Sequence, residues 1–273
     1  ARFPANEEKM MRLNQILFAL SCFSVAATTF ALPQSRHFQA PNTLSPEMTK
    51  TVNAPAPALW LSDVYTAQEL QKLAADYAKA AGQASLASAH SLGVSVEESK
   101  IAGIPVFVLT PKSIAKNLEN KVIFYIHGGG YILGHGVSCI TEAIPMAAQN
   151  GYKVICVDYR MAPEYPFPTA IDDTFAAYQE TVKTYGAENV AVFGSSTGGA
   201  MTLILALQAH KAGVAMPAAL IAGSPWADMD KIGDSYFVND GVDNVLGTYD
   251  ALIKTAARFY ANGHDLKSEA KRS

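Results

Sequence analysis

The residues best suited to chemistry form a short segment, Gly194-Ser195-Ser196-Thr197-Gly198. A predicted strand at residues 189–193 precedes it and a helical pattern at residues 199–211 follows it. A tight turn from strand to helix exposes its central serine hydroxyl above the sheet and needs small residues on either side. The helix that follows adds the positive end of its dipole beneath that hydroxyl. We therefore predict that Ser196 is a nucleophile and that Gly194 and Gly198 support its turn.

The same segment has an alternative interpretation as a glycine-rich turn that binds a phosphate, because helix N-termini bind anions readily. A phosphate-binding loop of this kind requires a lysine after its last glycine, and none follows here. The spacing also matches no dinucleotide-binding fingerprint. The nucleophile interpretation is therefore favoured.

A second segment, His127-Gly128-Gly129-Gly130-Tyr131, follows the apolar residues 122–126. Acyl transfer builds negative charge on a carbonyl oxygen, and preorganised backbone N–H groups stabilise that charge best where no side chain obstructs them. Consecutive glycines meet this requirement. His127 precedes the nucleophile in the chain, so we predict that it braces the loop and does not act as the base.

Four motifs in order resemble those of the hormone-sensitive-lipase-like esterases. They are His127-Gly-Gly-Gly-Tyr131, Asp158-Tyr-Arg-Met-Ala-Pro-Glu-Tyr-Pro-Phe-Pro168, Gly194-Ser-Ser-Thr-Gly-Gly199 and Ser224-Pro-Trp-Ala-Asp228. The resemblance implies an α/β-hydrolase fold, Ser196 as nucleophile, and the N–H groups of Gly129, Gly130 and Thr197 as an oxyanion hole. Thr197 stands where the family most often has alanine, and Ser195 where it has aspartate. The stretch from Ser224 to Lys267 is most similar to bacterial esterases described as lactone hydrolases.

The family also places a catalytic acid and a histidine further along the chain, after two more strands. The last residues, Ser268 to Ser273, no longer resemble the family, so we expect a C-terminally truncated domain that lacks its last strands. The downstream acids and histidine fall in the region of the lid and its flanks: Asp228, Asp230, Asp234, Asp240, Asp243, Asp250, His264 and Asp265. For His264 we predict a surface role.

Composition limits the possible partners. The chain has 273 residues, a net charge of -3 and 16% charged residues without a long run of either sign, so no nucleic-acid or polyanion partner is expected. The expected partner is a small ester or lactone, and the motifs call for neither a cofactor nor a metal. Oligomeric state is left open. Cys139 and Cys156 are expected to be free thiols packed in the core.

The N-terminal residues have the pattern of a targeting segment. Residues 1–9 precede Met10-Met11 and are interpreted as upstream read-through or a cloning remnant. Residues 10–31 combine Arg12, a short apolar stretch and small residues at 29–31, which predicts a cleaved signal peptide and a secreted or periplasmic protein. A lipoprotein anchor at Cys22 and a buried N-terminal helix are the alternatives. No stable membrane span is expected after cleavage.

The remaining predicted helices and strands must position the two glycine-containing segments, His127–Tyr131 and Gly194–Gly198. Residues 32–90 are predicted as an extended arm, to about residue 57, followed by a cap helix with a capping box at Thr66 and a stop at Gly82. Residues 91–273 begin with a hairpin turning at Ala102-Gly103 and continue with alternating apolar strands and helices. This pattern predicts a mainly parallel sheet with helices on both faces.

Two further predictions concern the loop around Pro163 and residues 226–263. Arg160 and Glu164 flank Pro163 and are predicted to pin that loop through charge-assisted bonds. Residues 226–263 are expected to be loop followed by a helix at 249–261, contributing to a lid.

The predicted activity is hydrolysis of short- or medium-chain acyl esters or lactones through a serine acyl-enzyme, impaired in this chain. A non-catalytic small-molecule-binding protein and an inactive gene fragment are the alternatives.

Overall fold

The computed structural model describes residues 40–55 and 66–264, all of which belong to the unit Gln39–Ser273. The predictions for residues 1–9, for the signal peptide at 10–31 and for the tail after residue 264 therefore lie outside the described residues. In the part of the chain that is described, no helix is long and apolar enough to cross a membrane.

A six-stranded sheet forms the centre of the fold, with strand order β1-β2-β4-β3-β5-β6. The strands are β1 (Val94–Ile101), β2 (Ile104–Pro111), β3 (Val122–Ile126), β4 (Lys153–Val157), β5 (Val190–Ser195) and β6 (Ala219–Gly223). β1, β2 and β4 pair antiparallel, and β4, β3, β5 and β6 pair parallel. The predicted mainly parallel sheet with an antiparallel start is confirmed.

Helices lie against both faces of this sheet. The helices of the described residues are α1 (Pro46–Val52), α2 (Ala67–Ser91), α3 (Ala143–Asn150), α4 (Thr169–Tyr185), α5 (Thr197–Ala212), α6 (Ser235–Val238) and α7 (Lys254–Ala261), of which α1 and α6 bury no residue. Successive residues of a strand face opposite sides. Accordingly Phe124 packs in a cluster with residues of α4, α5 and α7, and Tyr125 packs in a second cluster with residues of α3. The parallel strands β3, β4 and β5 lie between the two clusters.

Two helix predictions need correction. The capping box at Thr66 is present, but α2 runs past Gly82 to Ser91. A Cβ at Gly82 would lie 2.7 Å from Val137 Cγ1, so this glycine permits close helix packing and does not end the helix. The predicted extended arm contains α1, which begins at Pro46 with Ser45 as its N-cap.

The single helix predicted at residues 249–261 is interrupted. Ala251 has φ -105° and ψ -128°, so a short helical turn at Tyr249–Ile253 precedes α7. The Tyr249 hydroxyl donates to Met229 O at 2.6 Å, and Asp250 forms an ion pair with Lys231. These bonds tie the residues before the kink to the neighbouring loop and account for the change in direction.

β6 departs from the expectation that every strand is covered on both faces. Within the described residues it pairs with β5 alone, and the side chains of Leu220 and Ile221 are 37% and 53% exposed. Among the described residues, the strand is therefore an apolar sheet edge.

Candidate active site

Ser196 occupies the turn between β5 and α5 with a strained backbone. Its φ of 55° and ψ of -119° lie in a region that residues with a Cβ rarely adopt. The turn is held because Ser196 N donates to Gly223 O at 2.9 Å and Ser196 O accepts from Trp226 N at 2.9 Å. Strain of this kind persists only where surrounding bonds impose it, and it is concentrated at functional sites.

Steric contact explains the two glycines beside this turn. A Cβ at Gly194 would lie 2.2 Å from Gly198 O, and one at Gly198 would lie 2.0 Å from Ile126 O. Both obstacles are backbone atoms, which cannot rotate away. The turn thus packs directly against the end of β3, where the second predicted loop begins.

The loop after β3 lies against the serine turn. A Cβ at Gly128 would lie 2.9 Å from Ser195 O and 3.1 Å from Ser196 Cβ. Gly129 and Gly130 have φ values of 112° and 67°, and Gly129 O accepts from Leu133 N at 2.9 Å. The glycines let this loop approach Ser196 and fold back on itself.

Three backbone donors are available beside Ser196. In the described part of the chain, the N–H groups of Gly129, Gly130 and Thr197 donate to no other residue. Thr197 begins α5, where the first N–H groups of a helix have no partner within the helix. Preorganised donors without partners are what a developing oxyanion requires.

His127 is buried at the base of the glycine loop. Its Nδ1 lies 2.7 Å from Gly128 O and therefore carries the proton that it donates to that carbonyl. The Tyr159 ring stacks on the imidazole with centroids 4.1 Å apart, and its hydroxyl donates to His127 O at 2.8 Å. Burial lowers the pKa of His127 to about 4, although the bond to Gly128 opposes this shift. A neutral ring held in this way braces the loop.

Ser196, the glycine loop and His127 share a cavity of about 670 Å³. Among the described residues, His127 is the only histidine in its wall, and no side chain forms a hydrogen bond with Ser196 Oγ. The carboxylates in the wall belong to Glu142, Asp240 and Asp243. Glu142 accepts a hydrogen bond from Tyr125 at 2.9 Å. The site thus contains a nucleophile position and oxyanion donors without a described general base.

Of the acidic residues and histidine that follow Ser196 in the chain, Asp228, Asp243 and His264 make contacts away from the Ser196 hydroxyl. Asp228 accepts from the backbone N–H groups of Asp230, Ile232 and Gly233 and so caps its own loop. Asp243 similarly accepts from Val245 N and Leu246 N. His264 is exposed and lies edge-on to Phe167, at the wall of a separate cavity of about 500 Å³. Among the described residues, no group of three or more potential ligands is arranged to hold a metal ion.

Arg160 forms charge-assisted hydrogen bonds as predicted, but the prediction that Glu164 takes part in them is wrong. Arg160 Nη2 and Nε donate to the two carboxylate oxygens of Asp173 at 2.7 Å and 3.0 Å, and Arg160 N donates to the same side chain at 3.0 Å. Asp173 lies on the buried side of α4, whereas Glu164 is exposed. The Arg160 pair therefore joins the loop after β4 to α4.

Sequence reasoning missed the part of α7 that contacts the glycine loop. The Tyr260 ring lies parallel to that of Tyr131, with centroids 3.6 Å apart, and a Cβ at Gly130 would lie 3.2 Å from Ala256 Cβ. The sequence predicts a helix at residues 249–261, but nothing local to that helix indicates what it packs against.

Residues 123–271, more than half of the chain, match a family model described as the alpha/beta hydrolase fold. An acetyl-hydrolase of Streptomyces hygroscopicus is 33% identical over 156 residues, which cover 56% of this chain and 52% of the relative. An esterase of Acinetobacter venetianus is 33% identical over 48% of this chain and 44% of its own length. The chain thus spans about half the length of the curated relatives it matches.

Solved structures show similarity over more of the chain. The crystal structure of an esterase, E25, has 36% identity and a TM-score of 0.80, covering 86% of this chain and 73% of that one. A hormone-sensitive-lipase homologue, EstE7, from a metagenome library has 27% identity and a TM-score of 0.57, covering 76% and 72%.

Proposed function

The chain belongs to the α/β-hydrolase fold family, among its hormone-sensitive-lipase-like esterases, and we propose that it acts on carboxylic esters of short or medium acyl chain, or on lactones. One observation carries the proposal: Ser196 is held at a positive φ, opposite a glycine loop whose N–H groups lack partners among the described residues. The relatives named as an acetyl-hydrolase and an esterase support this class of substrate.

The proposed chemistry is acyl transfer through Ser196. Its Oγ attacks the substrate carbonyl carbon while its proton passes to a base, and the carbonyl oxygen gains negative charge. The N–H groups of Gly129, Gly130 and Thr197 stabilise that oxyanion. The alcohol then departs with a proton, leaving an acyl-enzyme. Water attacks the acyl-enzyme, releases the acid and restores the serine hydroxyl.

The base in this scheme is not among the described residues beside Ser196. His127 keeps its Nδ1 proton on Gly128 O, and its low pKa makes it a poor proton acceptor near neutral pH. Removing the activating histidine from a serine triad lowers turnover by up to roughly 10⁶-fold, although the oxyanion hole and binding retain some acceleration. We therefore propose that this 273-residue chain turns over esters slowly.

Hydrolysis of p-nitrophenyl acetate, p-nitrophenyl butyrate and an aliphatic lactone tests the proposal. The expected result is slow turnover that is lost in Ser196→Ala and retained in Ser99→Ala, which changes an exposed serine on β1. Turnover at the level of an intact esterase, lost in Ser196→Ala, would keep the function and overturn the proposed slow rate. Turnover that survives Ser196→Ala would overturn the role of Ser196.

A second candidate function is small-molecule binding without catalysis. It is favoured by the cavity of about 670 Å³ combined with a Ser196 hydroxyl that has no described partner. A fluorophosphonate probe separates the two candidates, because phosphonylation requires a nucleophilic serine oxygen. Labelling at Ser196 supports a hydrolase, whereas saturable ester binding with neither labelling nor turnover supports a binding protein.

Export from the cytoplasm is proposed on the sequence pattern of residues 10–31 alone. Expression in a bacterial host followed by N-terminal sequencing of the periplasmic or secreted protein tests it. A new N-terminus near residue 32 supports export, and retention of the uncleaved chain in the cytoplasm contradicts it.

A further inference from the structure

Two cysteine side chains from different elements touch each other inside the fold. Cys139 lies in the 3₁₀ turn Gly136–Ile140, and Cys156 lies in β4. Both are buried, and their Sγ atoms are 2.7 Å apart. They are the two cysteines of the described part of the chain, so each has the other as its thiol partner there.

The surrounding structure holds the two sulfur atoms together. Two residues beyond Cys156, Asp158 Oδ1 accepts from Gly136 N at 2.8 Å, which ties the end of β4 to the start of the turn. On the other side of the turn, Ser85 of α2 forms a hydrogen bond of 2.8 Å with Thr141. The turn that carries Cys139 is thus fixed from both sides without any contribution from the thiols.

We propose that Cys139 and Cys156 form a disulfide bond when the chain folds in the presence of a disulfide oxidant. A thiolate of one cysteine attacks the oxidant, for example oxidised glutathione, to give a mixed disulfide and one released thiol. The second cysteine then attacks the protein sulfur of that mixed disulfide and releases the second thiol. Two S–H bonds are lost, one S–S bond forms, and the oxidant gains two electrons and two protons.

Burial determines when this exchange takes place and how long the bond persists. In the folded chain, burial raises the pKa of both thiols, so neither is reactive once the cluster around them has packed. Exchange therefore precedes the final packing, and the finished bond is shielded from external thiols because Cys139 and Cys156 are only 2% and 0% exposed. The bond resists reductant while the chain is folded and becomes reducible when it unfolds.

The crosslink would stabilise one wall of the cavity that contains Ser196. Ser138 and Cys139 line that cavity, and the closed loop between the two cysteines spans α3. Closing a loop of this length restricts the unfolded chain, so the oxidised protein is expected to have a Tm about 5–10 °C above that of the reduced protein. This effect does not depend on ester hydrolysis.

The test uses the full chain carrying Cys22→Ser, which leaves these two cysteines as its only thiols. The reduced, denatured chain is refolded in a mixture of oxidised and reduced glutathione, denatured again, alkylated with iodoacetamide and weighed by intact mass spectrometry. The expected product carries no alkyl group and is lighter than the dithiol by two hydrogen atoms. Alkylation of both cysteines would overturn the proposal and leave the pair as a thiol–thiol contact.

Two further measurements assign the bond to the folded structure. Dithiothreitol is expected to leave the bond intact in the folded chain and to reduce it in denaturant, and rapid reduction without denaturant would contradict the proposed shielding. The reductant-dependent change in Tm is expected in Cys22→Ser and not in the matched variant that also carries Cys139→Ala and Cys156→Ala. An equal change in both would show that the stabilisation does not come from this pair.

Discussion

The ring of Tyr260 in α7 lies flat on the ring of Tyr131, with an angle of 4° between their planes. Tyr131 directly follows Gly130 and itself has a φ of 62°, so this contact holds the end of the glycine loop in a strained conformation. Tyr260 O also accepts from Phe167 N at 2.8 Å. A helix distant in sequence from both predicted loops thus fixes the donors that face Ser196.

Removing the Tyr260 ring should loosen this attachment. Tyr260 is buried, and truncating a buried aromatic side chain to alanine costs about 3–5 kcal/mol. We expect Tyr260→Ala to lower the free energy of unfolding by about this amount, measured by urea denaturation. Tyr260→Phe is the matched control, because it keeps the ring and removes only the hydroxyl group. Equal losses in the two variants would show that the hydroxyl, and not ring stacking, is responsible.

Gly198 should tolerate no side chain. A methyl group there would lie 2.0 Å from Ile126 O, so the serine turn and β3 would have to separate. We expect Gly198→Ala to lower the free energy of unfolding by about 3 kcal/mol, the upper end of the usual cost of overpacking. Gly233→Ala is the control, since its nearest contact would be an ordinary 3.6 Å. The explanation fails if thermal unfolding shows similar losses for both.

Local pattern was enough to predict the centre of the fold. Val122–Ile126 is a strand with the predicted bounds, because it is a short apolar run between polar or turn residues. Gly82 shows where local pattern fails. A glycine after an amphipathic run is typical of a helix stop, and only the approach of Val137 from elsewhere in the chain explains why the helix continues.

Side-chain partners were less predictable than strands. The sequence predicts Glu164 as the partner of Arg160, but the bidentate partner is Asp173 in α4. A local motif predicts the position of Ser196 in its turn. The contacts of Ala256 and Tyr260 with the glycine loop depend instead on how α7 packs. Tertiary contacts of this kind leave no periodic signal in the sequence.

The buried His127 should make stability depend on pH. Its folded pKa of about 4 is below the ordinary value of 6.5, so the unfolded chain binds a proton more readily than the folded chain. The free energy of unfolding should therefore fall as pH decreases from about 6.5 to about 4, by about 3 kcal/mol in total, with no further contribution below that range. Urea denaturation at a series of pH values measures this slope.

His127→Gln is the control for that slope, because glutamine does not titrate. Asp158 acts in the opposite sense at acid pH, since burial raises its pKa and favours its protonated form in the folded state. Comparing the variant with the parent chain cancels this contribution. An unchanged slope in the variant would assign the pH dependence to other groups.

The Arg160–Asp173 pair should stabilise the loop after β4. Asp173 is buried, but the Arg160 side chain is 51% exposed, so solvent screens part of the interaction. We expect Asp173→Asn to lower the free energy of unfolding by about 1–3 kcal/mol, because the arginine loses its charged acceptor. Glu164→Gln, which alters an exposed carboxylate outside this pair, should have no measurable effect on urea denaturation. A larger loss in Glu164→Gln would reverse the assignment of partners.

The exposed edge at β6 should promote self-association. β6 has one partner strand among the described residues, and its half-exposed Ile221 offers an apolar surface to another strand edge. A lysine on an edge strand opposes such pairing, so Ile221→Lys should reduce aggregation, measured by light scattering at increasing protein concentration. Leu86→Lys adds the same charge at a residue that is 45% exposed on α2, outside the sheet. Since both variants bring the net charge of -3 closer to zero, a general charge effect would increase aggregation in each. Reduced aggregation in Ile221→Lys alone would therefore identify β6 as the associating edge, and equal behaviour of the two variants would contradict it.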